Sequence, residues 1–514
     1  MKVLIFHGYL LHGTGSNVYN ASLARALARL GHEVHLLCQD REAGSLDWVD
    51  GLGRWTDGRL RTELGPESLR AGSITVYLPE IGGLLPVYVA DRYEGFRVKT
   101  FAELSDGELD AYLEANVAAV RDVVDALGGV DAALANHLVM GPVILARAGL
   151  GFAVKIHGSA LEYTIKPEPE RFLPYAREGI AAATGVLVGS RHTAESLWEA
   201  IGDPDLPART RLGPPGVDTE LFRPLAAEAR QGRLAELAAT VAGTDDAAGG
   251  AFVRDARAAA DAIRHLAAAE GARVVLVGKL IVSKGVDLLL GAWPLVHASN
   301  PGARLLVVGF GEYAGALQRL WAALAGGDLE HALQLATKGR LLEGGPPGPL
   351  RMLSAFLSDP PARYRDAGRM AADSVAFAGR LEHEEVARLV PATDALVFPS
   401  TFPESFGMVA AEAAAAGVLP VSAAHSGAAE VSRVLAAALP AEVGGLVSFP
   451  LDERAVRGIA ERLNAWLRLD EATRRRARRA LADTASEHWS WEGVASGILA
   501  ASAGRLGELT PVPE

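Results

Sequence analysis

The sequence predicts an α/β protein built from two successive doubly wound, Rossmann-like domains, each a mostly parallel sheet covered by helices. Short apolar runs of the kind buried in parallel sheets alternate with helical segments over the first 200 or so residues. The same alternation restarts near Arg273 and continues past Glu412. Between the two lies Pro214-Pro215-Gly216-Val217-Asp218-Thr219-Glu220-Leu221-Phe222-Arg223-Pro224, whose prolines and glycine break the pattern and mark a connection. A chain of 514 residues is also too long for one hydrophobic core. The boundaries read as 1–215 for the first domain and 216–488 for the second, with 489–514 returning to the first.

In order, Lys2-Val3-Leu4-Ile5-Phe6 is a buried strand, followed by His7-Gly8 and then His12-Gly13-Thr14-Gly15-Ser16-Asn17. A helix is predicted from about Val18 to Leu30, closed by Gly31, and Glu33 to Leu37 is the next strand. The pattern Gly13-x-Gly15-x-x-Val18 lacks the third glycine of a dinucleotide fingerprint, which disfavours a nicotinamide oxidoreductase. A glycine loop at a helix start still suits a phosphate or a closely approaching acceptor, or is a tight turn and nothing more. Further strands end at Asn136-His137, at His157-Gly158 and at Gly189-Ser190, where Ser190 is placed to cap the following helix.

In the second half, Arg273 to Gly278 is a strand with Lys279 and Lys284-Gly285 after it, then a helix from about Val286. Ala303 to Gly309 and Ser374 to Arg380 are further strands. Segments near 225–270 and 322–372 interrupt the repeat and read as helical insertions, the second containing Gly-Gly-Pro-Pro-Gly. The strand Asp394 to Ser400 leads into Pro403-Glu404-Ser405-Phe406-Gly407-Met408-Val409, and an alanine-rich helix follows as far as Gly417. Glu404 thus stands in the strand-to-helix turn and Glu412 about two helical turns on. The backbone N–H groups of Phe406, Gly407 and Met408 at the helix start form a natural seat for an anion. Carboxylates that read hydroxyls beside amides that read phosphate are what a sugar nucleotide asks for.

The totals exclude several classes. A formal charge of −12 argues against nucleic acid as the main partner. One cysteine, Cys38, rules out an internal disulfide framework and fits a reducing compartment. No apolar run reaches the ~18 residues of a membrane helix, and a strand directly follows Met1-Lys2, so a cytoplasmic protein is expected. Asp203-Pro204-Asp205 falls in a turn, and His383-Glu384-Glu385 starts a helix without the second histidine of a zinc motif, so no metal is predicted. Arg474-Arg475-Arg476-Ala477-Arg478-Arg479 reads as a solvated helical face, or as weak peripheral contact with an anionic membrane.

Six motifs taken in order resemble the retaining glycosyltransferases of family 4. They are the loop with Gly13 and Gly15, His157-Gly158, Pro215-Gly216-Val217-Asp218, Gly278-Lys279-Leu280 with Lys284-Gly285, Phe377-x-Gly379-Arg380, and Glu404 with Glu412. The resemblance covers nearly the whole chain apart from the two insertions. It implies the GT-B fold, with the two domains facing a cleft, and a last helix after Trp489-Ser490-Trp491-Glu492 that crosses back to the first domain.

The resemblance also implies roles. Lys279 and Lys284 clamp the diphosphate of a nucleoside-diphosphate sugar, with Lys279 where many members have arginine. Glu412 accepts the ribose hydroxyls, and Glu404 lies nearer the donor sugar. Gly15, Gly278, Ser405, Phe406, Gly407, Met408 and Val409 approach donor oxygens, while Arg380 and Leu381 sit near the base. His157 lies beside the transferred sugar, and Gly13, Thr14 and His137 face the acceptor. The implied activity is retaining, metal-independent hexosyl transfer without a cofactor, a UDP-sugar favoured as donor, to an unidentified small-molecule, glycan or lipid acceptor. The alternatives are a sugar-nucleotide epimerase or phosphorylase of similar fold, and a non-catalytic sugar-nucleotide-binding protein. Oligomeric state is not legible.

Overall fold

The computed structural model describes residues 1–13, 15–64, 71–88, 95–244 and 254–513. The chain divides into two units, Met1–Gly216 with Trp489–Glu514, and Val217–His488.

The first unit contains β1 (Lys2–Phe6), β2 (Glu33–Leu37), β3 (Gly51–Thr56), β4 (Arg59–Leu64), β5 (Ile74–Leu78), β6 (Leu84–Val87) and β7 (Arg97–Thr100). It continues with β8 (Ala132–Asn136), β9 (Ala153–Ile156), β10 (Gly185–Val188) and β11 (Thr210–Leu212). Its main sheet runs β11-β10-β9-β8-β1-β2-β5-β3-β4, parallel except for the β3–β4 hairpin, while β6 and β7 pair separately. Chain order reverses between β1 and β8, so the carboxyl ends of these two strands open the crevice where α/β sheets take ligands. Val3, Leu4 and Ile5 are fully buried, as a strand covered on both faces requires.

The hairpin turns through Asp57 and Gly58, whose φ values of 52° and 69° are the left-handed pair that a tight hairpin needs. The first helix spans Gly15–Arg29 rather than starting near Val18. Its early turn is held by side chains: Asn17 Nδ2 donates to the His12 carbonyl and Asn20 Nδ2 to that of Ser16, at 2.7 and 2.9 Å. Ser190 caps the helix Arg191–Ile201 through the Thr193 N–H. The closing helix Trp491–Ser502 packs on this sheet, where Trp491, Ala495, Ile498 and Ala501 join the core around Val3, Leu23, Ala132 and Leu187. Ser502 Oγ accepts the Ala133 N–H at 3.1 Å, and Thr184 Oγ1 donates to the Ala501 carbonyl at 2.9 Å.

The second unit has β12 (Arg273–Val277), β13 (Arg304–Val308), β14 (Val375–Gly379), β15 (Ala395–Phe398), β16 (Leu419–Ala423) and β17 (Ser448–Phe449). They form one parallel sheet ordered β14-β13-β12-β15-β16-β17, whose order reverses between β12 and β15. The segment near 225–270 supplies the helices Arg230–Ala242 and Ala256–Ala267, and its residues 245–253 lie outside the described residues. The segment near 322–372 carries the helices Leu329–Lys338, Arg351–Ser358 and Tyr364–Met370.

The basic run does not form a solvated face throughout. It lies on the helix Glu471–His488, and Arg478 turns inward to Asp394 at 2.9 Å. Asp394 also accepts from Arg230 Nη1 and from the Arg273 N–H, each at 2.9 Å. A buried carboxylate needs compensating charge and donors, and Asp394 draws one arginine out of the run to obtain them. Arg475, Arg476 and Arg479 stay exposed.

Candidate functional site

Two groups of predicted residues assemble, one in each unit, and each stands at the point where its sheet reverses order.

In the second unit, Lys279 and Lys284 follow β12, and Glu404 follows β15, so the groups flank that reversal. Lys284 ends the short 3-10 turn Val282–Lys284, and Gly285 after it has φ +64°. A Cβ on Gly285 would stand 2.0 Å from the Pro399 carbonyl oxygen, so only glycine lets the lysine turn lie this close to the end of β15. Gly309, at φ +153°, is under the same constraint against the Gly278 carbonyl, 1.8 Å from where its Cβ would be. The Thr401 N–H donates to the Ser283 carbonyl at 2.8 Å and stitches the two loops.

The Lys284 ammonium ion-pairs with Glu404 Oε1. Ser400 Oγ donates to the same oxygen at 2.6 Å, while the Glu404 N–H donates to Ser426 Oγ at 2.9 Å. The Gly427 N–H returns a bond to the Glu404 carbonyl at 2.9 Å. Glu404 is therefore fixed at backbone and side chain alike. Lys284 Nζ also lies 5.8 Å from the Phe398 ring centre, and Lys279 Nζ 6.0 Å from that of Phe310.

Ser405, Phe406 and Gly407 form the turn, with Gly407 at φ +114° as the N-cap of the helix Met408–Ala415. Met408 and Val409 open its first turn, where N–H groups have no partner within the helix. Glu412, 7% exposed, lies in the body of this helix. Its Oε1 pairs with His383 Nε2 at 2.9 Å. Arg380, 7% exposed, pairs with Glu382 at 2.8 Å, and Leu381 is buried beside it.

The sequence reading missed four of these partners. Ser400, Ser426 and His383 are tied to the glutamates, and Glu343, from the second insertion, accepts the Val282 N–H at 2.7 Å. Glu343 thus caps the turn that presents Lys284. One turn further on, Asp287 is buried with Oδ1 unpartnered among the described residues, and burial pushes its carboxyl up to about 7.

In the first unit, His7, His137 and His157 gather at the carboxyl ends of β1, β8 and β9. The His137 ring lies 4.8 Å from His157 and is stacked 6.1 Å from His7, with Tyr88 at 4.7 Å and Tyr9 at 5.4 Å. His137 has φ +67°, a strained value for a residue with a Cβ, and neither ring nitrogen has a partner among the described residues. His157 Nε2 meets Asn136 Oδ1 at 2.8 Å, and Tyr19 packs edge-on to its ring at 5.0 Å. Burial holds His137 and His157 well below the usual histidine range, so both are neutral at pH 7. His7, which Asn17 and the Leu10 carbonyl meet at 3.0 Å each, was not singled out from sequence.

Gly13 has φ +87°, and Gly15 is the first residue of the helix Gly15–Arg29, so the glycine loop joins β1 to that helix start. Thr14 lies outside the described residues. Lys155 is buried beneath this group, donating to the Gly213 carbonyl and lying 5.7 Å from the Tyr19 ring centre. Burial pushes it down to about 7.

Two family profiles match the chain: "Glycosyl transferase 4-like domain" over residues 14–216 and "Glycosyl transferases group 1" over residues 362–480. A glycogen synthase of Mycobacterium tuberculosis is 28% identical over 243 residues, covering 47% of this chain and 45% of the relative. A D-inositol 3-phosphate glycosyltransferase of Segniliparus rotundus is 31% identical over 245 residues, covering 46% and 42%. The chain spans about half the length of the curated relatives it matches. Among solved structures, the sucrose-phosphate synthase of Thermosynechococcus elongatus superposes with a TM-score of 0.57 at 16% identity, covering 99% of this chain and 98% of the other. Anabaena HepE in complex with UDP and glucose gives 0.56 at 16% identity, covering 99% and 100%. These likenesses identify the fold as GT-B. Among the described residues no helix is long and apolar enough to cross a membrane.

Proposed function

We propose that this chain, which belongs to the group 1 glycosyltransferases, moves a hexose from a nucleoside-diphosphate sugar to an acceptor hydroxyl with retention of the anomeric configuration. A UDP-sugar is the favoured donor, and the acceptor is a small molecule, a glycan or a lipid. The observation that carries the reading is the Lys284–Glu404 pair, held by Ser400 and Ser426 at the end of β15 beside a helix N-terminus.

In this reading the bond between C1 of the sugar and the diphosphate oxygen breaks, and its electron pair leaves with the diphosphate. Lys279, Lys284 and the N–H groups at the start of the helix Met408–Ala415 stabilise that charge, the kind of preorganised electrostatic help that usually dominates catalysis. The acceptor oxygen forms the new bond to C1 from the same face, and its proton passes to the departing diphosphate. Glu404 holds a sugar hydroxyl and Glu412 the ribose. His157 and His137, neutral and buried, hold sugar or acceptor hydroxyls. The reading gives the diphosphate charge to lysines rather than to a metal, and activity is expected to survive EDTA.

The test is release of nucleoside diphosphate from a panel of UDP-, GDP- and ADP-sugars, with and without candidate acceptors, followed by proton NMR of the product. Acceptor-dependent release with a retained anomeric centre is expected. Lys284→Ala should lower turnover by about 10²–10³, the scale of losing one preorganised charge stabiliser. Near-normal turnover in a folded variant would remove the lysine assignment, and an inverted product would remove the same-face step.

A further inference from the structure

His383 is the first residue of the helix His383–Leu389, and the local sequence offers it nothing but a helix start. The neighbouring Glu382 and Glu385 form the capping box, which leaves the imidazole free of that task. It reaches Glu412 instead, at 2.9 Å, with the Phe222 ring 5.2 Å away on another side. The contact is sheltered on the glutamate side, where the Glu412 side chain is 9% exposed, while that of His383 is 30% exposed.

We propose that His383 is a positioning residue for the donor nucleotide: its Nε2–H holds Glu412 Oε1 so that Oε2 is turned toward the ribose hydroxyls. The inference rests on Glu412 as the ribose acceptor. A glutamate with three rotatable bonds loses affinity to its own freedom, and a partner that fixes one oxygen removes most of that loss before the ligand arrives. A charged imidazole adds a second effect by neutralising a carboxylate that is buried on the nucleotide side.

That charge depends on pH. Burial disfavours it, but the Coulomb pull and hydrogen bond of Glu412, with Asp218 and Glu384 behind them, outweigh burial and raise the His383 pKa above 6.5. Among the described residues, Glu385 pairs with Arg254, Glu382 with Arg380, and Arg230 of the packed helix Arg230–Ala242 with Asp394, while Arg388 in the last turn of the same helix as His383 is exposed. On the same helix Arg233 and Glu236 face one another at 4.0 Å. A raised histidine pKa means the ion pair is complete below the usual value and is lost as pH rises through the raised one. Ribonucleotide affinity should therefore fall as the solution passes from mildly acidic to mildly alkaline.

The experiment measures binding of UDP and of 2′,3′-dideoxy-UDP, or the guanosine pair if GDP binds better, by calorimetry from about pH 6 to about pH 8.5. Wild-type protein, His383→Gln and Glu412→Gln are compared. The two ligands share their diphosphate titration, so the difference between them isolates the ribose. For wild type the ribose-bearing ligand should bind about tenfold more tightly at the acid end, and this advantage should shrink several-fold at the alkaline end. His383→Gln keeps a donor without a charge, and its advantage should be smaller and flat with pH. In turnover the same variant should raise the donor KM several-fold with kcat within about twofold. A ribose advantage with the wild-type pH slope in His383→Gln overturns the inference. If wild type and Glu412→Gln both bind the two ligands equally, the Glu412 reading itself fails, which is a different result.

Discussion

Replacing Lys155 by methionine tests how this chain tolerates a buried ammonium beside its histidine group. Lys155 is 2% exposed, donates to the Gly213 carbonyl and has no carboxylate partner among the described residues. Burial alone pushes it from its usual 10.5 down to about 7. Between those values the unfolded chain binds the proton and the folded chain does not, so stability rises with pH across this window. Below about pH 7 both states are protonated and the full penalty of the buried charge applies. From pH 7 to pH 9 the linkage gives a gain of about 2 kcal/mol in the wild type, at ~1.4 kcal/mol per pH unit once titration is well past its midpoint. Lys155→Met removes the titrating group and keeps most of the packing volume. Guanidinium denaturation followed by fluorescence at several pH values should show the variant more stable at pH 6, with its advantage reduced by about 3 kcal/mol at pH 9. Parallel stability curves for the two proteins would refute the claim that burial lowers the Lys155 pKa in the fold.

Two further substitutions probe the lysine turn. Gly285→Ala sets a Cβ against the Pro399 carbonyl at a φ of +64°, and should destabilise the second unit by about 2 kcal/mol or more while lowering kcat, read by denaturation and turnover. Glu343→Ala removes the acceptor of the Val282 N–H; it should cost about 1–3 kcal/mol locally and raise the donor KM, with faster hydrogen exchange in peptides covering residues 279–285.

What could be read from sequence was what is local. The strand and helix alternation, the turn at Glu404 and the cap at Ser190 all follow from signals within a few residues. The partners that fix those groups lie far along the chain. Lys284 meets Glu404 across 120 positions and Arg478 meets Asp394 across 84, so nothing near Arg478 hints that it turns inward. His383 was hidden by a stronger local message, the capping box around it. The hairpin at Asp57-Gly58 was not singled out from sequence, although that dipeptide is a strong turn signal. The second insertion was read only as an interruption, because the use of Glu343 depends on a backbone N–H some 61 positions earlier.

The first unit draws its last helix from the far end of the chain, and this sets an order on its manufacture. Gly216 lies where a Cβ would be 2.5 Å from the Trp491 ring, the Ala133 N–H waits for Ser502, and the Leu212 N–H for the Thr510 carbonyl. At the ribosome the whole of Val217–His488 must be translated in between, a delay on the order of tens of seconds. Through that interval the nascent sheet bears an uncovered apolar face around Ala132, Ala153 and Leu187, while the second unit, continuous in sequence, can close as soon as it has emerged. The unit that is made first is the one that is finished last.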